Sequence, residues 1–399
     1  MNLLIIDEEY PYPLNTGKRI RTFNLINVLK NYHQISYLAY GNIESESYQF
    51  MKDQGFNPVY AEPPDRRQSG INFYLKLLAN LTSPLPYIVT SHYTNHFQNK
   101  LDSLINSNKI DLIICEWTPY AIFLQNLKNV KSLISAHNIE SSIWKRYEEN
   151  EKNCLKRKYI SIQRKKVEEF ENKAFHWSSG ATAVTKNEAE TITAMNPPYS
   201  IEVIDNGVDT SYFKKSTSAK SSNELVFTGS MDWRPNQDAV IYFAKEIYPL
   251  VKNKCSDIKF TIVGRKPPEK VIELGHIEGI TVTGTVDDVR PYIDRANLYI
   301  VPLRIGGGSR LKILEAMSME KAVISTSIGA EGLNVTDNEN IILKNTPTEF
   351  ADCIIDLLQN NELRVKLESE GRKLVEKEYD WQQLGVRYNN YINRILEQK

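Results

Sequence analysis

The stretch Val301-Pro-Leu-Arg-Ile-Gly-Gly-Gly-Ser-Arg-Leu-Lys-Ile-Leu-Glu-Ala-Met317 indicates the fold class most directly. An apolar run ends at Val301, three consecutive glycines follow, and a pattern with helical spacing then begins. A strand that passes through a glycine loop into a helix is typical of doubly wound α/β sheets, in which amides at the helix N-terminus bind anions. The stretch therefore predicts an α/β fold with a phosphate site beside the loop.

The same alternation of strands and helices occurs twice along the chain, which predicts two parallel sheets. In the first half, the candidate strands are Leu3–Ile6, Ile35–Ala39, Leu112–Cys115, Ser132–Ser135, Ala181–Val184 and Glu202–Ile204. In the second half, they are Leu225–Thr228, Lys259–Val263, Ile280–Thr283, Leu298–Val301, Ala322–Ser325 and Asn340–Leu343. A polar stretch, Ser216–Asn223, separates the halves and reads as a linker. We expect Rossmann-like domains over 1–215 and 216–378, and a C-terminal helical segment over 379–399 that packs back on the first domain.

Composition excludes several classes of protein. The 399 residues have a formal net charge of zero and 41% hydrophobic residues, which excludes disorder and gives no global field for nucleic acid. The N-terminus lacks a basic signal-peptide region, and no apolar run is long enough to span a bilayer. The four cysteines are widely separated, and the histidines include no HExxH motif; His92 and His96 form a lone i,i+4 pair without a nearby acidic partner. We therefore expect a cytoplasmic protein that binds neither nucleic acid nor a metal ion.

The glycine stretch supplies most of the candidate anion ligands. Three glycines let backbone amides approach a phosphate, a serine can cap the helix, two cations follow, and a carboxylate one turn on can bind ribose hydroxyls. These residues are Gly306, Gly307, Gly308, Ser309, Arg310, Lys312 and Glu315. The alternative interpretation is an ordinary strand-to-helix turn with a surface Lys–Glu pair.

Several motifs resemble those of the family 4 glycosyltransferases, in the same order along the chain. They are Asn206-Gly-Val-Asp209, Val226-Phe-Thr-Gly-Ser230, Thr261-Ile-Val-Gly264, the Glu315-Ala-Met317 block and Ile328-Gly-Ala-Glu-Gly-Leu333. The resemblance implies a GT-B fold, with two Rossmann-like domains facing across a cleft and C-terminal helices. It also implies that the second domain binds the nucleotide sugar, with Gly229 and Ser230 at the phosphate turn and backbone contacts to the base near Val286.

The chain departs from the family pattern at two places. Gly307 stands where many relatives carry the first acid of a Glu-x7-Glu pair. The segment Ser230–Asn236 lacks the Arg and Lys that hold the diphosphate in many relatives. Arg310 and Lys312 are the cations that could compensate, and with Arg234 as a further candidate they would stabilise the leaving diphosphate.

Two segments of the first half carry further candidate site residues. Gly17 begins a helix after the first strand, with Arg19 and Arg21 close by, and in similar enzymes this glycine loop closes over the donor phosphates. His137 follows the strand Ser132–Ser135 and looks like the family histidine that approaches the donor sugar. We therefore predict His137, Lys312 and Arg310 as catalytic residues.

The resulting hypothesis is a retaining, metal-independent hexosyltransferase that uses a nucleotide-diphosphate sugar, such as a UDP- or GDP-sugar. Its acceptor would be a hydroxyl of a glycan or lipid-linked glycan in surface polysaccharide or glycoconjugate synthesis. The alternatives are a non-catalytic donor-binding accessory subunit, suggested by Gly307, and a sugar-nucleotide epimerase. The amphipathic stretch Ile71–Leu81 is a candidate acceptor edge or peripheral contact with the inner face of a membrane. The basic stretch Leu155–Lys166 is interpreted as a solvated helix.

Overall fold

The computed structural model describes residues 1–64, 69–107, 109–127, 130–216, 223–305 and 310–397. Contacts divide the chain into two compact units, one formed by Met1–Asp205 with Leu384–Lys399 and the other by Asn206–Gln383. These bounds differ from the predicted boundary at 215 and 216. The segment after Asp205 belongs to the second unit because Val208 bridges to Asp380 and the carbonyl of Phe213 accepts a hydrogen bond from Ser318.

The first unit contains, within the described residues, a parallel sheet of seven strands in the order β3-β2-β1-β4-β5-β6-β7. The strands are β1 Asn2–Ile6, β2 Gln34–Tyr40, β3 Asn57–Ala61, β4 Leu112–Cys115, β5 Lys131–Ser135, β6 Gly180–Ala183 and β7 Glu202–Val203. The prediction missed β3, an edge strand that contains Pro58; proline is tolerated at a sheet edge and obscures a strand pattern.

The second unit contains, again among described residues, a parallel sheet of six strands in the order β10-β9-β8-β11-β12-β13. The strands are β8 Glu224–Thr228, β9 Lys259–Val263, β10 Ile280–Val282, β11 Leu298–Val301, β12 Ala322–Ser325 and β13 Ile342–Leu343. The order reverses between β8 and β11, where both strands end on the same edge. Such a reversal is where ligands bind in open α/β sheets.

Helices connect the strands in both units. In the first unit they are α1 Gly17–Leu29, α2 Glu46–Asp53, α3 Ile71–Asn80, α4 Tyr87–Thr90, α5 Asn95–Ser107, α6 Glu140–Asn150, α7 Cys154–Trp177 and α8 Lys186–Thr193. Those that begin in the second unit are α9 Arg234–Tyr242, α10 Tyr248–Lys254, α11 Glu269–Ile272, α12 Arg290–Arg295, α13 Leu311–Ser318, α14 Pro347–Gln359, α15 Asn361–Leu374 and α16 Trp381–Glu397. Short 3-10 helices cover Thr118–Leu124 and Glu273–His276, and π-helical turns cover Phe243–Ile247 and Val375–Tyr379. Within the described ranges, no helix is long and apolar enough to cross a bilayer.

The cores of both units are built from the strands. Every residue of β4, β8, β11 and β12 is buried, as expected for parallel strands covered on both faces. From Leu384 onward, α16 belongs to the first unit, where the Tyr391 hydroxyl donates to the carbonyl of Ala181 and Lys131 donates to the carbonyl of Ile395. An added Cβ at Gly180 would lie 2.4 Å from Ile395 Cδ1, so the helix packs directly on the backbone of β6.

Candidate functional site

The first element of the candidate site is the turn after β8, formed by Gly229 and Ser230. The Gly229 amide donates to the carbonyl of Val263 (2.9 Å), which fixes the turn to the end of the neighbouring strand β9. The Ser230 hydroxyl donates to Asp232 (2.6 Å) and accepts from Arg265 (2.8 Å). The predicted phosphate turn therefore lies at the carboxyl end of a central strand.

Lys312, in the first turn of α13, lies beside this turn. Its ammonium donates to Asn236 Oδ1 (2.6 Å) and lies 4.2 Å from the centre of the Phe227 ring. Asn236 in turn donates to the carbonyl of Ser230 (2.8 Å). An added Cβ at Gly229 would lie 2.9 Å from Lys312 Nζ, so only glycine leaves this space open for the ammonium. Burial is the main cause that lowers the pKa of Lys312 to about 7; the charge of Glu315 opposes the shift and the charge of Arg310 adds to it.

Glu315 is one turn along α13 from Lys312. Burial raises the pKa of its carboxyl to about 7, although the charge of Lys312 opposes this shift. Among the residues that the structure describes, no side chain or amide hydrogen-bonds to the Glu315 carboxylate. The carboxylate is half-buried, and the hydroxyl groups of a ligand are suitable donors for it.

Arg310 is placed differently from Lys312, although the sequence predicts the same phosphate role for both. Its buried guanidinium donates to the carbonyl of Ile328 (2.7 Å) and lies 3.3 Å from both the carbonyl and the carboxylate of Glu331. Burial lowers the pKa of Arg310. In this position, Arg310 holds the segment that follows β12 against the start of α13.

The remaining predicted residues of the second unit lie at different places. Gly306, Gly307, Gly308 and Ser309 lie outside the described residues, so the predicted serine cap of α13 does too. Arg310 occupies the N-cap position of α13. Val286 follows β10 and packs, half-buried, against the core of the unit. Arg234 is exposed at the first position of α9.

In the first unit, His137 follows β5 and pairs with an acid that the sequence analysis does not single out. His137 Nε2 lies 2.8 Å from Glu116 Oε2, which also accepts from the Thr22 hydroxyl at 2.9 Å. Burial alone would raise the pKa of Glu116, but the hydrogen bonds and the charge of His137 hold it below its usual value. An ionised Glu116 accepts a hydrogen bond from the Nε2–H group of His137, which fixes the orientation of the imidazole ring.

A second acid cluster lies at the same edge of the first sheet. Asp7 directly follows β1 and is buried, and its carboxylate accepts from Lys18 (2.7 Å) and Tyr37 (2.9 Å). Lys18 also donates to Glu8 (3.0 Å). Burial favours the neutral amine, but the two carboxylates outweigh it and raise the pKa of Lys18. Gly17, predicted to contact the donor, is exposed at the start of α1, directly before this lysine.

The two arginines near Gly17, Arg19 and Arg21, form contacts within the first unit. Arg19 forms a two-point ion pair with Glu9, at 2.8 and 2.6 Å. Arg21 is buried and donates to the carbonyl of Asp205 (2.7 Å), and burial lowers its pKa.

Asp7, Glu116 and His137 share a signal that could have been found in the sequence. Each polar residue comes within two residues of the end of a buried apolar strand, and β1, β4 and β5 are adjacent in the sheet. Carboxyl ends of adjacent parallel strands meet at one edge, which brings these side chains to the same edge of the sheet. The pairing of Glu116 with His137 follows from that adjacency.

The unit that carries Lys312 and Glu315 is similar to a known protein family. Residues 222–360 match the model of the family described as glycosyl transferases group 1. An uncharacterized 44.6 kDa protein in the cps region of Klebsiella pneumoniae is 23% identical over 393 residues, covering 95% of this chain and 96% of the relative.

Similarity to solved structures extends over the whole chain. Sucrose-phosphate synthase from Thermosynechococcus elongatus superposes with a TM-score of 0.68 at 14% identity, covering 99% of both chains. The Anabaena protein Alr3699/HepE, solved in complex with UDP, superposes with a TM-score of 0.66 at 12% identity, covering 99% of this chain and 100% of that one. The chain therefore has the GT-B fold, and its second unit matches the glycosyl transferases of group 1 over residues 222–360.

Proposed function

We propose that the protein is a family 4 glycosyltransferase that moves a hexose from a nucleotide-diphosphate sugar to a hydroxyl group of a glycan or lipid-linked glycan. The observation that carries this proposal is the placement of Lys312 and Glu315 beside the Gly229–Ser230 turn, at the carboxyl end of β8. This arrangement lies inside the range that matches glycosyl transferases. A cation and a carboxylate one helical turn apart suit a diphosphate and a ribose, respectively.

In this proposal, Lys312 contacts the diphosphate and Glu315 accepts hydrogen bonds from the ribose hydroxyls. The negative charge on the leaving diphosphate grows during transfer, so a preplaced ammonium stabilises the transition state more than the ground state. Lys312 provides this charge without a metal ion, which supports a metal-independent reaction. We retain the sequence-based proposal that the phosphates bind beside Gly306–Gly308 and Ser309. The nucleotide would contact Gly229, Ser230 and Val286.

Arg310 acts in this proposal mainly by fixing the segment after β12, which contains Ile328 and Glu331. Its guanidinium is engaged by the carbonyls of Ile328 and Glu331, so direct contact with a phosphate would require it to leave them. We therefore assign Arg310 as a positioning residue for the start of α13, and Lys312 as the cation that contacts the diphosphate.

His137 is the residue of the first unit that we propose to contact the transferred sugar. Its Nε2 is hydrogen-bonded to Glu116, and Glu116 accepts a further hydrogen bond from Thr22. The imidazole is therefore oriented by Glu116, which Thr22 fixes in turn. Gly17 is kept as the proposed loop residue near the donor phosphates. The retaining stereochemistry and the cytoplasmic location remain part of the proposal.

The comparisons suggest which donor and pathway class to test first. A relative encoded in a cps region supports a role in surface polysaccharide synthesis. A structural neighbour solved with UDP supports beginning with UDP-sugars, although the similarity is one of fold.

The experiment is donor turnover followed by NMR in the presence of a chelator. The protein is incubated with UDP-glucose, UDP-galactose, UDP-N-acetylglucosamine and GDP-mannose, and slow hydrolysis is read from the anomeric proton of the first sugar released. Release with the donor's own anomeric configuration supports a retaining transferase. Inverted sugar would refute retention, and binding of a donor without nucleotide release, with and without glycan acceptors, would favour the accessory subunit.

A further inference from the structure

Helix α3 exposes an apolar face that the described residues do not cover. Ile71, Tyr74, Leu75 and Leu78 are between 56% and 79% exposed. Their spacing of three, four and seven residues puts all four on one side of the helix. Single exposed hydrophobic residues are common, but four on one face of a ten-residue helix form a continuous surface.

The opposite face of α3 already has its partners. Asn80 is buried and accepts from Gln163 on α7 (2.9 Å), and the ring of Phe73 lies 6.1 Å from the ring of Tyr87. Leu77 is half-buried on the same side. The helix therefore has apolar residues both toward the unit and away from it, and packing within the unit does not explain the outward ones.

The neighbouring helix α7 begins with a basic segment. Residues 152–167 contain seven cations and no acid, although the whole chain has a formal net charge of zero. In the described part of the chain, five of these cations are exposed and form no ion pair: Lys152, Lys156, Arg157, Lys158 and Lys165. Glu148, Glu149 and Glu151 precede the segment and Glu168 and Glu169 follow it, so residues 148–169 carry a formal surplus of two positive charges. Leu155, at 80% exposed, lies among these cations.

Direct contacts join the C-terminal end of α3 to the basic segment of α7. Gln163 bonds to Asn80 and to the amide of Tyr87, and Lys166 donates to the carbonyls of Asn80 (2.7 Å) and Leu81 (3.1 Å). Lys156 precedes Gln163 by seven residues, which is about 10 Å along a helix. That distance is close to one Debye length at physiological salt, so the cations remain within electrostatic range of a partner bound at α3.

We propose that this surface, formed by Ile71, Tyr74, Leu75 and Leu78 of α3 with the basic start of α7, docks on an anionic lipid bilayer. Leucine and isoleucine side chains would enter the boundary between headgroups and acyl chains, with Tyr74 at headgroup level. The cations would meet the anionic headgroups, each strengthening binding by several-fold.

A second copy of the chain fits this surface less well. A symmetric dimer through α3 would bring two basic segments together, and their repulsion would oppose the apolar contact. An anionic bilayer complements the apolar and the charged parts together. The proposal goes beyond glycosyl transfer and does not depend on it, because membrane binding is measured without donor or acceptor.

The test is flotation of the full-length protein with vesicles of phosphatidylcholine alone or with 30 mol% phosphatidylglycerol. We expect binding to the anionic vesicles that weakens with added salt, and at least tenfold weaker partitioning to neutral ones. Leu75→Gln with Leu78→Gln should lower partitioning at least tenfold, and Lys156→Gln with Lys158→Gln should do the same on anionic vesicles. All four positions are exposed, and glutamine is a good helix former, so the fold should be retained; thermal unfolding checks this.

Matched controls replace exposed residues of the same type elsewhere. Ile272→Gln removes an exposed apolar side chain of the second unit, and Lys173→Gln with Lys270→Gln removes two exposed cations outside the basic segment. These variants should bind like the wild type. The proposal is overturned if the wild type does not bind anionic vesicles, or if the α3 variant, Leu75→Gln with Leu78→Gln, binds them as well as the wild type does. It is also overturned if the wild type is a dimer that the α3 variant converts to a monomer, because the face would then be a contact between copies.

Discussion

Lys312 is the residue whose replacement should weaken nucleotide binding most. Its ammonium donates to Asn236 (2.6 Å) beside the Gly229–Ser230 turn, in an environment where burial lowers its pKa to about 7. Roughly half of the molecules therefore carry a charged Lys312 at neutral pH. A bound diphosphate stabilises the ammonium, so binding above pH 7 must take up a proton.

The size of the effect follows from the charges. Two unit charges about 4 Å apart attract by about 4 kcal/mol at an effective dielectric constant of roughly 20. Lost hydration offsets much of this, and hydrogen bonds to charged groups contribute about 1.5–3 kcal/mol net. Lys312→Gln should therefore raise the Kd of the nucleotide about ten- to a hundredfold below pH 7, since about 1.4 kcal/mol is tenfold. Above pH 7 the wild-type Kd should increase with pH, with a slope that approaches about tenfold per pH unit. The Kd of Lys312→Gln lacks this dependence, so the ratio of the variant Kd to the wild-type Kd should shrink.

The assay is isothermal titration calorimetry at pH 6, 7, 8 and 9, with wild type and Lys312→Gln compared at each pH so that titration of the ligand itself cancels. Two buffers with different ionisation enthalpies report the proton uptake directly. Lys245→Gln, an exposed lysine of the same unit, should behave like the wild type. Equal Kd values for wild type and Lys312→Gln at pH 6 would refute the reasoning, and so would a ratio that stays constant from pH 6 to pH 9.

Three further substitutions test other contacts. Gly264→Ala should lower the free energy of unfolding by about 1–3 kcal/mol in urea titrations, because its Cβ would lie 1.9 Å from the carbonyl oxygen of Gly229; unchanged stability would contradict that close approach. Glu116→Gln should lower kcat at least tenfold with little change in the donor KM, because it removes the carboxylate that orients His137; steady-state kinetics in which only KM rises would contradict a positioning role. Glu315→Gln should weaken nucleotide binding about tenfold, yet its Tm relative to wild type should increase from pH 5 to pH 8. The pKa of Glu315 is raised from 4.5 to about 7, so the stability contributed by its protonated form is fully present below pH 4.5 and is lost as pH rises through 7. A Tm difference that stays constant or falls from pH 5 to pH 8 would contradict this.

Much of the fold follows from apolar runs that the sequence displays. The predicted strands Leu112–Cys115 and Ala322–Ser325 have the same bounds in the structure, because such runs are buried on both faces and end at polar residues. The edge strand Asn57–Ala61 was missed because it is only partly buried and contains a proline. The end of the first unit could not be located either, since no change in composition marks the point where Val208 pairs with Asp380.

The arrangement of the candidate site could be predicted only in part from the sequence. Glycines and helix starts are visible in sequence, so Lys312, Glu315 and the Gly229 turn could be grouped. The partner Asn236 could not be assigned to Lys312, because this contact joins residues 76 positions apart. The pairing of Glu116 with His137 could have been inferred, because both residues follow adjacent strands. The engagement of Arg310 with the carbonyls of Ile328 and Glu331 depends on a side-chain conformation that spacing does not determine.

The central claim is that the second unit binds a nucleotide-diphosphate sugar through α13 and the turn after β8. A crystal structure with the nucleotide that most raises the Tm, grown with a chelator, tests this most directly. The account predicts a diphosphate oxygen within hydrogen-bond distance of Lys312 Nζ and ribose hydroxyls donating to the Glu315 carboxylate. A nucleotide bound elsewhere, or one whose phosphates avoid Lys312, would contradict it.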